Sequence, residues 1–206
     1  MKQVPSTGEG LRSAAEAIRA GEVVAYPTET MYGLGVDPFA EAAVRRLFDV
    51  KGRSLDRPLL LIVADLDQLG RVAAEVSPAA LAYAEEYWPG PLSMLFPKSA
   101  ALPDLVTGGR GKVCVRCPAS AVARDLCRAF GNAITSTSAN RSGAPPARSA
   151  HQVDLPDVAL VIGGATLPVN PPSTVFDPET GDVLREGMIS DAELAAFARR
   201  RGIRPR

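Results

Sequence analysis

Imidazoles and thiols are scarce in this chain: its 206 residues include one histidine, His151, and three cysteines. With that histidine in a polar loop, a histidine-built metal site and a Ser-His-Asp triad are both poor readings. Cys114 and Cys117 form a C-x-x-C, but "KVCVRCP" alternates like a strand, where residues three apart point to opposite faces. No second pair accompanies them, so reduced core thiols of a cytosolic protein are expected, and no metal. A surplus of charge is missing too. Lys plus Arg and Asp plus Glu number 23 each, so no global field draws in nucleic acid or a membrane, and any polyanion has to be held locally. No apolar run approaches a membrane span, and "MKQVPSTGEG" has no signal-peptide core. A soluble, cytoplasmic protein is expected.

What is present is ordinary in amount. Apolar and charged contents of 46% and 22% are those of a globular domain, and a chain of this size buries about 70% of its unfolded surface without disulfides. No repeat, low-complexity tract or linker interrupts it, and one domain over residues 1–206 is expected. "GLRSAAEAIRA" has helical spacing, "EVVAYP" reads as a strand closed by Pro27, and "AEAAVRRLFDVKG" returns to a helix. "PLLLIVAD" suits a strand covered on both faces. Two helices follow across 65–88, with Ser77 as a cap. Next come strands "LSMLFP" and "KVCVRCP", a helix at 119–130, the strand "AITSTS", a helix at 148–153 and the strand "VALVIGG". "STVFDPETGDVLREG" reads as a hairpin turning at Pro178 to Gly181, and Ser190 caps a last helix. This alternation predicts a three-layer α/β domain with a mixed sheet.

Four polar stretches lie where strands run into loops, as ligand contacts do in α/β proteins. "YPTETMYGLG" offers Thr28, Thr30 and Tyr32 before two glycines; it fits a small-molecule pocket, or a turn that needs glycine. "KGRSLDRP" clusters Lys51, Arg53 and Arg57 after a helix, and fits dipole compensation as well as a phosphate clamp. "AITSTSANRSG" runs out of an apolar strand into Ser136, Ser138 and Asn140, with Gly143 letting backbone N–H groups approach; an oxyanion site is favoured over a turn. Ser173 and Arg185 stand on the two arms of the late hairpin. "VTGGRGKV" fails the phosphate-loop spacing, because position 106 is Val and Val113 follows Lys112. Cations, hydroxyls and amides without an evident nucleophile suit phosphoryl or nucleotidyl transfer.

Seven short pieces occur in order: P-T-E-T-x-Y-G-L-G (27–35), K-x-R (51–53), W-P-G-P-L (88–92), V-R-x-P (115–118), S-x-S-A-N-x-S-G (136–143), S-T-V (173–175) and L-R-x-G (184–187). Together they resemble the YrdC-like (TsaC) family of L-threonylcarbamoyladenylate synthases, over nearly the whole chain. The resemblance implies a twisted mixed sheet around a large, positively charged cavity. It also implies synthesis of threonylcarbamoyl-AMP and pyrophosphate from L-threonine, bicarbonate or CO2, and ATP with its Mg2+. A TsaD-containing complex would then transfer the threonylcarbamoyl group to tRNA. The family's tetrad falls on Lys51, Arg53, Ser138 and Asn140. Thr30 and Arg116 are implied for threonine, and Ser173 and Arg185 for the nucleotide or the amino acid. Thr28, Tyr32, Arg57 and Ser136 complete the expected binding set. Longer relatives carry a histidine in the strand after K-x-R, absent from "PLLLIVA", and a further C-terminal domain; the short single-domain form is expected. Two rival readings stand beside this one. One is a YciO-like paralogue sharing K-x-R and S-x-N with another substrate. The other is an RNA-binding module, since relatives are linked to double-stranded RNA, although neutral net charge counts against it as the main role.

Overall fold

The computed structural model describes residues 1–204. In chain order these form β1 (Lys2–Val4), α1 (Gly8–Arg19), β2 (Val23–Pro27), β3 (Tyr32–Gly35), α2 (Glu41–Lys51), β4 (Leu60–Ile62), α3 (Leu66–Val72), α4 (Pro78–Tyr87), β5 (Leu92–Pro97) and α5 (Asp104–Thr107). They continue with β6 (Lys112–Arg116), α6 (Ala121–Phe130), β7 (Ile134–Ser138), β8 (Val158–Ile162), β9 (Thr174–Phe176), β10 (Val183–Arg185) and α7 (Asp191–Arg201). Local chemistry sets many of the ends. Ser77, Ser120 and Ser190 each accept a backbone N–H three residues on, at 3.2, 3.4 and 3.2 Å, caps that contribute about 1 kcal/mol apiece. Gly52, Gly131 and Gly202 take up the left-handed conformation that ends α2, α6 and α7.

Ten strands form one mixed sheet in the order β1-β8-β2-β3-β7-β4-β6-β5-β9-β10. On one face α1 and α6 pack Leu11, Ile18, Leu126 and Cys127 against Val24, Tyr26, Ile62 and Ile134. On the other, Leu47 and Phe48 of α2, Tyr83 of α4 and Phe197 of α7 join Val113, Val115 and Phe176. This alternation decides where a site can form. Side chains along β6 point to opposite faces in turn, so Val113 and Val115 enter the second core. Lys112, Cys114 and Arg116 face the other way, beyond the cover of α1 and α6, and line a cavity.

The structure departs from the sequence reading in several places. "YGLG" is a strand, β3, paired antiparallel with β2. Its glycines make room for a ring: a Cβ on Gly35 would lie 2.8 Å from Cε1 of Tyr26, and one on Gly33 3.2 Å from the Ser136 hydroxyl. The stretch 148–153 holds only a single 3-10 turn, Ala150–Gln152. The apolar run at 58–65 contributes just three residues to the sheet, because Pro58 removes a donor and Asp65 caps α3 through the Gln68 N–H at 3.1 Å.

Candidate active site

The β2–β3 hairpin tip, residues 28–31, forms one wall. The Thr28 hydroxyl donates to the Met31 carbonyl at 2.7 Å and accepts the Thr30 and Met31 N–H groups at 3.2 Å. That oxygen is consumed in folding its own turn. The Thr30 hydroxyl, 3.0 Å from it, has no other partner among the described residues and lines the cavity.

Beside it, through the β3–β7 pairing, stand the K-x-R and S-x-S-A-N segments, which fold together. The Lys51 side chain, 3% exposed, donates through Nζ to the carbonyl oxygens of Ser138 at 2.5 Å and Asn140 at 2.8 Å. Its own carbonyl accepts the Ser142 N–H at 3.0 Å. Burial, with Arg53 adding to it, lowers the Lys51 pKa to about 8. The Arg53 Nη2 donates to the Pro58 carbonyl at 2.8 Å while its Nε is buried without a partner. Desolvation, then neighbouring Arg57, depresses the Arg53 pKa.

At the floor, Arg116 is 2% exposed and meets one carboxylate, Glu29 Oε1, at 3.4 Å. Its Nε and that same Glu29 oxygen are buried with unused hydrogen-bonding capacity. A buried cation held this loosely is incompletely paired, a state an incoming anion relieves. Arg185 donates to the Ser173 carbonyl at 2.8 Å and to its hydroxyl at 3.1 Å, and that hydroxyl lies 2.9 Å from the Ser93 hydroxyl. Burial pushes the Cys114 thiol up to about 12 and the Cys117 thiol to about 11. Neither is a thiolate at neutral pH. Cys117 is buried with Sγ 3.4 Å from the Ala64 carbonyl; Cys114, expected in the core, instead lines the cavity.

The cavity holds about 530 Å³, inside the range of small-molecule sites. Of the residues singled out from sequence, Thr28, Thr30, Arg53, Arg116, Ser136, Ser138, Ser173 and Arg185 line it. Lys51 and Asn140 stand behind the Ser138 wall, joined to it as above. Tyr32 turns into the core with its hydroxyl buried and unpartnered. Arg57 is exposed beside Arg53. No carboxylate and no imidazole lines the cavity.

Comparison with known proteins identifies the family. The Sua5/YciO/YrdC family model, described as "Telomere recombination", matches residues 16–187. The chain belongs to the Sua5/YciO/YrdC family. A threonylcarbamoyl-AMP synthase of Alkalilimnicola ehrlichii is 42% identical over 85% of this chain and 94% of its own length. One of Pyrococcus abyssi is 41% identical over 81% of this chain. The chain spans half the length of that Pyrococcus relative. The crystal structure of P. abyssi Sua5 complexed with L-threonine superposes with a TM-score of 0.88 at 37% identity, covering 95% of this chain and 59% of that one.

Within this Sua5/YciO/YrdC fold, the motif reading left out Glu29, Arg110 and Lys112. Glu29 lay inside P-T-E-T, but its ion pair with Arg116 crosses from β6 and has no local signature. Arg110 and Lys112 line the cavity from the segment set aside for failing a phosphate-loop spacing. Lys112 pairs there with Asp177. The available signal was two cations among glycines entering a strand.

Proposed function

We propose that the chain is an L-threonylcarbamoyladenylate synthase, joining L-threonine, CO2 or bicarbonate, and ATP into threonylcarbamoyl-AMP and pyrophosphate. The observation that carries the reading is a cavity lined by Arg53, Arg116, Arg185 and several hydroxyls, with no carboxylate or imidazole in its walls and a Cys114 thiol that burial keeps protonated. Such a site suits a reaction whose nucleophile and leaving group both belong to the substrates. The threonine amine adds to CO2, releasing a proton and leaving a carbamate. A carbamate oxygen then attacks the α-phosphorus of ATP, and the bond to pyrophosphate breaks.

Both partners are anions, so the barrier is largely mutual repulsion. In this proposal Arg53 turns its free Nε towards the phosphate, and Ser136 and Ser138 donate to phosphate or carbamate oxygens. Lys51 and Asn140 hold the Ser138 strand end in place and add a buried positive charge behind it. Arg116 takes the amino-acid carboxylate, and Thr30 the threonine side-chain hydroxyl. Ser173, Arg185 and the exposed Arg57 serve the nucleotide. Mg2+ enters with ATP as part of the substrate: the lining offers no carboxylate to hold it, and phosphate oxygens are its natural ligands.

Residues 1–206 are proposed to act as one domain in the cytoplasm, passing the unstable product to a TsaD-containing complex that modifies tRNA. No helix among the described residues is long and apolar enough to cross a membrane. The decisive experiment supplies ATP, bicarbonate and one amino acid at a time and follows pyrophosphate. Release with L-threonine above all others is expected. Release indifferent to the amino acid, or no release, rejects the synthase reading.

A further inference from the structure

The segment Gly108-Gly109-Arg110-Gly111 joins α5 to β6 and matches no standard phosphate loop, yet Arg110 and Gly111 line the cavity. Its shape comes from Gly108 and Gly109, both at positive φ, 60° and 76°. Gly108 also packs where no side chain fits: a Cβ there would lie 2.3 Å from the Asp56 carbonyl oxygen. The Leu59 N–H donates to the Val106 carbonyl at 2.8 Å. The 53–58 and 106–111 loops are thereby locked together as one rim.

Three guanidiniums meet at this rim. Arg53 feels Arg57 and Asp56. The exposed Asp56 carboxyl is held below the usual carboxylate range, chiefly by the Ser54 hydroxyl, with Arg57 and Arg110 both adding to it. One carboxylate among three guanidiniums leaves the rim net positive. Arg110 is exposed, and no hydrogen bond or ion pair within the described residues ties up its donors. A single carboxylate ligand has no use for so many forks, whereas a diphosphate presents enough oxygens for several.

The rim also lies at the far end of the cavity from Arg116. Lys112 and Arg116 are four steps apart along β6, about 13 Å at the usual rise per residue. An amino acid seated on Arg116 therefore leaves the glycine loop to whatever extends beyond the reacting phosphorus.

We propose that Arg110 is a binding residue for the pyrophosphate leaving group, acting with Arg53 and Arg57 of the same rim. The inference rests on the synthase reading for the identity of the group and on the rim alone for its chemistry. The guanidinium holds the two outer phosphates of ATP while the α-phosphorus is attacked. It then keeps its contacts on the departing pyrophosphate, whose charge rises as the bond breaks.

The test is calorimetric binding of inorganic pyrophosphate, AMP and L-threonine to the full chain and to its Arg110→Ala variant. Arg110 is exposed and unpaired, so the variant should melt as the parent does. Expected is a loss of pyrophosphate affinity of roughly 10- to 100-fold, the scale of a charge-assisted contact, with AMP and L-threonine unchanged. Arg110→Lys should recover part of it. Unaltered pyrophosphate binding in Arg110→Ala, an equal loss for AMP, or no pyrophosphate binding by the parent each overturns the assignment. The synthase reading fails separately, on absence of L-threonine-dependent pyrophosphate release, a result compatible with intact pyrophosphate binding.

Discussion

The Lys51 amine and the Ser138 carbonyl oxygen lie 2.5 Å apart, so the end of α2 and the end of β7 are tied by a buried cation. The tie has a pH signature. Lys51 titrates at about 8 in the folded chain, against an ordinary value of 10.5, because burial and then Arg53 disfavour its charge. Between those values the unfolded chain holds the extra proton, so this residue's contribution to stability rises with pH. The charge behind Ser138 is lost as pH rises through about 8. Pyrophosphate release should therefore fall along an alkaline limb centred near pH 8. The stability difference between wild type and Lys51→Met, from urea unfolding, should meanwhile move in favour of the wild type. A flat rate profile from pH 7 to 10 counts against a required charge at Lys51.

Thr28 and Thr30 should separate by role. Thr28→Val removes the oxygen that organises the hairpin tip and should lower the melting temperature. Thr30→Val, nearly isosteric, should leave melting unchanged and raise the KM for threonine roughly 2- to 10-fold, the range of one neutral hydrogen bond. The KM for ATP should stay constant; an equal rise would place the amino acid elsewhere.

Arg116 and Glu29 should move threonine binding in opposite directions. Arg116→Ala should raise the KM for threonine roughly 10- to 150-fold and also destabilise the chain, since Glu29 Oε1 is already buried without a hydrogen bond. Glu29→Gln keeps an acceptor for the Ser120 N–H, now at 3.3 Å, and frees Arg116 from its ion pair, so the KM should fall. Steady-state kinetics with threonine varied at saturating ATP checks both.

Gly35→Ala should destabilise by about 1–3 kcal/mol, as overpacking does. The new methyl meets the Tyr26 ring, whose hydroxyl is anchored to the Thr135 carbonyl at 2.9 Å. Chemical denaturation measures it. A neutral result means that the ring has room to shift.

Most helices and some of their ends were readable because their determinants are local: Ser77 and Ser190 act within one turn. The two halves of the Lys51–Ser138 junction were recognisable as motifs, but their contact spans 87 residues and follows from strand order, which periodicity does not reveal. β3 was hidden because "YGLG" has the composition of a turn, and its glycines answer to Tyr26 on the neighbouring strand. Arg110 was overlooked for a related reason: its loop gets its shape from Gly108 resting on Asp56, a partner outside the segment. Tyr32 read as a pocket residue because its alternation within β3 could not be seen until β3 itself was known.

The walls of the cavity come from the hairpin tip, the loop after α2, the start of β6, the end of β7 and the β9–β10 arms, none of them next to another in the chain. No single one of these segments carries half of this receptacle. Substrate capture is thus a property of the completed fold alone, and each bound anion draws the population towards that fold by mass action.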